Sequence, residues 1–138
     1  MAAPTVLFIH GLFMTPLCWE HWIPLAEARG YRCLAPGYPG RDRPVEELRS
    51  AHPDPQLGRL TLTQVVDHYA GIIASLESPP VIIGHSMGGL ITQLLVQRRI
   101  AAAGVAVNSA PPMGVFSFDP NFLRSNWPLV NPFIPPGR

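Results

Sequence analysis

The segment Gly84-His85-Ser86-Met87-Gly88 sets a serine between two glycines, each two positions away from it. That spacing suits a nucleophile. A hydroxyl that attacks a carbonyl must project from the fold, and a tight turn between a strand and a helix achieves this. Such a turn strains its central residue, at a cost of about 1–3 kcal/mol. Side chains at Gly84 and Gly88 would collide as the strand and helix close on each other. A helix opening at Ser86 would aim free N–H groups and a positive dipole end at the reaction centre. The Met87 N–H could then donate to a developing oxyanion. The bare pattern arises by chance in roughly one chain in twenty of this length, with Gly and Ser each about 7% of residues. Its setting is more specific, because the apolar run Val81-Ile82-Ile83 precedes it and an amphipathic stretch follows. A strand before and a helix after are what this motif requires.

A second constellation, His10-Gly11-Leu12-Phe13, follows the apolar run Val6-Leu7-Phe8-Ile9. In a parallel sheet, ligands bind beyond the carboxyl ends of the strands. If this strand neighbours the one before Ser86, the two loops meet there. Gly11 would let the backbone approach closely. The Leu12 N–H is then a candidate second oxyanion donor, with Phe13 as the fallback. Serine attack of this kind needs no metal and no cofactor, and none is expected.

The elements that must hold these loops are legible in outline. Val6–Ile9 and Val81–Ile83 read as buried strands of a parallel sheet, and Tyr31–Ala35 and Val105–Val107 as two further short strands. Trp19 to Arg29 reads as a helix broken or restarted at Pro24, with Gly30 as its stop. Thr61 and Gln64 form a capping box before Leu62, Val65, Val66, Tyr69, Ile72, Ile73 and Leu76, which fall at helical spacing. Ser86 to Arg99 is the next helix, with Arg98 and Arg99 in its last turn. The alternation predicts an α/β fold: a parallel sheet of about four strands with helices on both faces. Pro36 to about Leu60 reads as a long loop rich in Gly and Pro. Residues 1–110 are expected to form the core, and the proline-rich residues 111–138 the start of a lid or linker.

His10-Gly11 after a first strand, Trp19 on the following helix, and Gly84-His85-Ser86-Met87-Gly88-Gly89 after a third strand resemble the α/β-hydrolase superfamily. Within it, the likeness is to single-domain esterases and lipase-like hydrolases. The resemblance covers nearly all of residues 5–110 and implies the N-terminal half of that fold. It implies Ser86 as nucleophile, oxyanion N–H groups on Met87 and Leu12, and a small-molecule ester or acyl substrate. That family orders its triad as Ser, then Asp or Glu, then His. Here no His follows His85, no Glu follows Glu77, and the later carboxylate side chain is Asp119, a candidate acid. His10, His21, His52, His68 and His85 each read as a packing or solvated histidine rather than the base. The expectation is a chain lacking the triad His, with truncation as the simplest account and a purely binding role as the alternative. An open edge on the fourth strand would favour self-association or a missing C-terminal half.

Of the 138 residues, 47% are hydrophobic and 14% charged. A soluble domain averages about 25% charged residues, so some surface here expects cover. The net charge of +1 gives no case for nucleic acid or an anionic membrane. No apolar run approaches the roughly 18 residues of a membrane span. The apolar run near the N-terminus has no basic leader and no small-residue cleavage site, so it reads as a strand. Cys18 and Cys33 read as packing residues, which fits a reducing, cytoplasmic setting. The aromatics Phe116, Phe118, Phe122, Trp127 and Phe133 suggest either an apolar acyl pocket or packing of the tail onto the sheet.

Overall fold

Strand β1, Thr5–Ile9, is buried along its whole length, and the other elements assemble around it. The structure, a computed structural model, describes residues 3–115 and 118–130. After β1 come a 3-10 turn at Pro16–Trp19, helix α1 at Trp22–Glu27 and strand β2 at Arg32–Leu34. Two short helices follow, α2 at Val45–Ser50 and α3 at Pro55–Arg59. Helix α4 spans Leu62–Ala74, strand β3 Val81–His85, helix α5 Met87–Gln97 and strand β4 Ala103–Val107. Helix α6, Pro120–Val130, closes the described chain.

The strands form one parallel sheet in the order β2-β1-β3-β4. Alternate residues of the central strands feed two apolar layers. Leu7, Ile9 and Ile82 pack with Val66, Tyr69, Ile91 and Leu95 of α4 and α5 on one face. Val6 and Phe8 pack with Trp19, Ile23 and Ala26 on the other. Helices thus cover both faces, as the alternating pattern requires. The pairing of Ile9 with Gly84 puts the ends of β1 and β3 level. The loops that carry the two motifs therefore leave the sheet side by side.

The Thr61 cap of α4 forms as its sequence requires. The Gln64 N–H donates to Thr61 Oγ1 at 3.2 Å, and the Thr61 N–H donates to Gln64 Oε1 at 2.8 Å. Three elements depart from the pattern-based reading. Pro24 restarts the helix: α1 begins at Trp22, so Pro24 lies in the first turn, where a missing N–H costs nothing. The expected loop from Pro36 to Leu60 contains α2 and α3. Asp54 caps α3, accepting from the Gln56 N–H at 2.9 Å, with Pro55 at the first helical position. The tail, which shows no sustained period, carries α6, capped by Asp119 through the Asn121 and Phe122 N–H groups at 2.8 and 3.0 Å. Phe116, Phe133 and the chain after Val130 lie outside the described residues.

Strand β4 pairs with β3 along one side and is mostly exposed. Among the described residues no helix is long and apolar enough to cross a membrane. Cys18 and Cys33 are free thiols. Burial pushes both thiols above the usual range, as suits packing side chains.

Candidate active site

Ser86 stands between the end of β3 and the start of α5 with φ 55° and ψ −116°. A positive φ is uncommon for a residue with a side chain and signals local strain. The surrounding contacts hold it. The Ser86 N–H donates to the Val107 carbonyl at 3.0 Å, and its own carbonyl accepts from Gly89 and Ala110 at 3.0 and 2.9 Å. The helix proper begins at Met87, one residue later than the sequence pattern suggests, because Ser86 occupies the cap position in a non-helical conformation.

The glycines are there for space. A Cβ on Gly88 would run into the Ile9 and His10 carbonyl oxygens. One on Gly84 would strike the Gly88 carbonyl oxygen and Thr92 Oγ1. One on Gly89 would come within 2.9 Å of Ser109. Helix α5 thus rests directly on the backbone of β1 and β3, which aims its N-terminus at the mouth of the turn.

The loop after β1 lies against this turn. A Cβ on Gly11 would sit 3.4 Å from Ser86 Cβ and 3.3 Å from His85 Nδ1. His10 is buried, and its Nδ1–H donates to the Gly11 carbonyl at 2.7 Å. The Met14 N–H donates to the same oxygen at 3.2 Å. The C=O and N–H of one peptide unit point in opposite directions. Fixing the Gly11 carbonyl therefore fixes the direction of the Leu12 N–H. The Tyr38 ring stacks on His10 at 4.3 Å, and its hydroxyl donates to the His10 carbonyl at 2.8 Å. Burial holds the His10 pKa below its ordinary value, against a smaller opposing effect of the bond to Gly11. Its Nε2 is buried without a hydrogen-bond partner, as befits a neutral ring.

A cavity of about 690 Å³ opens beside the turn. Met87, Leu12 and Phe13 line it together with Leu48 of α2 and Leu57 of α3. Ser86 itself does not line it; the residues that follow Ser86 and Gly11 do. The apolar cavity is therefore built by the α2–α3 segment. Phe118, Phe122 and Trp127, the described tail aromatics among the pocket candidates, are exposed and do not line it.

The remaining histidines are placed apart from one another. His68, on the polar face of α4, donates to the Gly37 carbonyl at 3.2 Å and packs edge-on to Tyr69. His21 is exposed beside Glu20. His52 lies on the cavity wall with α2 and α3. His85 Nδ1 is buried without a hydrogen-bond partner, facing Gly11. Asp119 is exposed at the cap of α6. Among the described residues no cluster of His, Cys, Asp and Glu could hold a metal ion.

The family model of the alpha/beta hydrolase family matches residues 6–138. The chain belongs to the alpha/beta hydrolase family. Among curated relatives, this alpha/beta hydrolase is 32% identical over 103 residues to a pyrethroid hydrolase of Sphingobium wenxiniae, spanning 72% of this chain and 32% of that protein. It thus covers about a third of that relative's length. Among solved structures it resembles a pyrethroid hydrolase at 26% identity with a TM-score of 0.59, over 78% of this chain and 40% of the other. An epoxide hydrolase from Vigna radiata, at 24% identity and a TM-score of 0.56 over 74% of this chain and 32% of the other, shares the fold.

Proposed function

We propose that Ser86 is the nucleophile of a cofactor-free serine hydrolase that cleaves a carboxylic ester or related acyl bond. The observation that carries this reading is the strained Ser86 backbone, held at φ 55° while Gly84 and Gly88 clear the way for helix and strand. A merely structural turn has no need of that strain. In the proposed reaction Ser86 Oγ attacks the carbonyl carbon and the carbonyl π electrons move onto its oxygen. The Met87 and Leu12 N–H groups stabilise that oxyanion, with Phe13 as the alternative donor. The base takes the Ser86 hydroxyl proton and returns it to the alkoxide that collapse expels, leaving an acyl-Ser86 ester that water hydrolyses to the acid and free Ser86. The likeness to a pyrethroid hydrolase supports a hydrolytic role.

A serine hydroxyl is a weak nucleophile near neutral pH and needs a base. The five histidines lie at residues 10, 21, 52, 68 and 85, all at or before the nucleophile turn. His10 is committed to Gly11 and Tyr38, and His68 to Gly37. Among the described residues no histidine hydrogen-bonds the Ser86 hydroxyl, so the reading takes these 138 residues to lack the base, with Asp119 as the candidate acid. The 138-residue chain is then a prepared but unactivated site. It should hydrolyse an activated ester such as p-nitrophenyl butyrate only feebly, by no more than about 10³–10⁴-fold over water, the level left to an oxyanion hole and binding. Ser86→Ala should leave that residual rate almost unchanged, because it does not pass through Ser86, and should abolish only the acyl-Ser86 adduct seen by mass spectrometry after incubation with the ester. An acyl adduct formed equally in Ser86→Ala would remove Ser86 from the chemistry.

A further inference from the structure

The cavity beside the nucleophile turn is apolar in most of its lining, with Val45, Leu48, Leu57, Leu60 and Ile91 around it. Two guanidinium groups also line it, those of Arg41 and Arg49. Neither makes a side-chain hydrogen bond or ion pair with any described residue. Asp54, the one carboxylate in the lining, faces Arg43 at 3.7 Å and caps α3. Glu46 and Glu47 lie on α2 but do not line the cavity. Asp42 accepts from the Gly37 N–H at 2.6 Å. The result is an apolar cavity lined by two guanidinium groups that have no side-chain partner among the described residues, and by one carboxylate that Arg43 already faces.

Resting on the serine-hydrolase reading, we infer that this cavity selects an amphipathic carboxylate. The apolar body of the substrate lies against the leucines of α2 and α3, and its carboxylate group takes Arg41 and Arg49. Guanidinium matches a carboxylate in shape and can bind it through two parallel N–H bonds. An unpaired cation beside apolar wall gives little to a neutral hydrocarbon and much to an anion carried on one. Arg41 also acts electrostatically on His10 in the oxyanion loop, opposed by Asp42. The α2–α3 segment is then a specificity device added between β2 and α4.

Binding tests this without any catalysis. Octanoate and octan-1-ol share a chain and differ in charge. By titration calorimetry at neutral pH and low salt, octanoate should bind the chain about tenfold more tightly than octan-1-ol, as a charge-assisted hydrogen bond allows. Added salt should weaken octanoate and leave octan-1-ol unchanged. Arg41→Gln with Arg49→Gln should bring octanoate down to the affinity of octan-1-ol, and Lys at both positions should restore part of the difference. Equal binding of the two ligands, or a preference indifferent to salt and to the Gln pair, would overturn the inference. Ser86→Ala should leave all these values in place. A failure of Ser86 chemistry and a failure of anion selection are thereby separate results.

Discussion

Tyr38 holds His10 twice: its ring stacks on the imidazole at 4.3 Å, and its hydroxyl donates to the His10 carbonyl at 2.8 Å. The loop carrying Tyr38 is itself fastened to α4, because the Tyr69 hydroxyl donates to the Pro36 carbonyl at 2.9 Å and His68 bonds Gly37. The direction of the Leu12 N–H is thus set by a chain of contacts that runs back to a core helix. Tyr38→Phe keeps the ring and removes one buried hydrogen bond. It should cost about 1 kcal/mol of stability, measured as a shift in the urea midpoint at constant slope. A midpoint unchanged within error would mean that water or another donor replaces the hydroxyl.

The His10 ring makes stability depend on pH in one direction. Burial lowers its folded pKa below the ordinary value. The unfolded chain takes up this proton near pH 6.5, while the folded chain does so only at lower pH. Between those two values the unfolded state binds more protons, so stability falls as pH falls. Thermal midpoints should decline from pH 7 downward. His10→Gln should make that decline shallower, and an equal slope in the variant would assign the effect to other groups.

Two glycines should respond oppositely to the same change. Gly88→Ala forces a methyl group into the Ile9 and His10 carbonyl oxygens, which cannot retreat without moving β1. The cost should exceed about 3 kcal/mol, at the upper end of overpacking effects. Gly71 lies within α4 with nothing near a Cβ placed on it. Gly71→Ala should stabilise the chain by about 0.5–1 kcal/mol through helix propensity. Chemical denaturation of both variants checks the pair; equal responses would contradict the close packing of α5 on β1.

Strain at Ser86 should be recoverable as stability. Ser86→Gly accepts the positive φ without penalty, offset in part by the greater freedom of glycine in the unfolded chain. A net gain of about 1 kcal/mol is expected, with loss of the acyl-Ser86 adduct. A destabilised glycine variant would show that the Ser86 conformation is not costly.

Much of this arrangement was legible in the sequence because it rests on local signals. Apolar runs such as Val81-Ile82-Ile83 specify strands, and the Thr61-Gln64 capping box marks where α4 begins. The spacing of Gly84, Ser86 and Gly88 is a direct imprint of backbone contact, which is why it could be read without coordinates. The short helices α2 and α3 were less visible, since six and five residues are too few to show a period. The Asp54-Pro55 cap was the available sign. The cavity wall is hidden in the sequence for the same reason, whereas the tail aromatics Phe118, Phe122 and Trp127 are conspicuous there but exposed in the fold. The roles of Tyr38 and of the unpaired Arg41 and Arg49 depend on contacts or charge balance across distant segments, which no local spacing encodes.

The central claim is that Ser86 is a nucleophile prepared by its fold and short of a base. Fluorophosphonate labelling of the 138-residue chain, followed by peptide mapping with and without added imidazole, tests it most directly. The account expects a single phosphonyl adduct on Ser86, formed slowly alone, faster with imidazole as a supplied base, and absent from Ser86→Ala. An adduct mapped to another residue, an equal adduct in Ser86→Ala, or none at any imidazole concentration would contradict it.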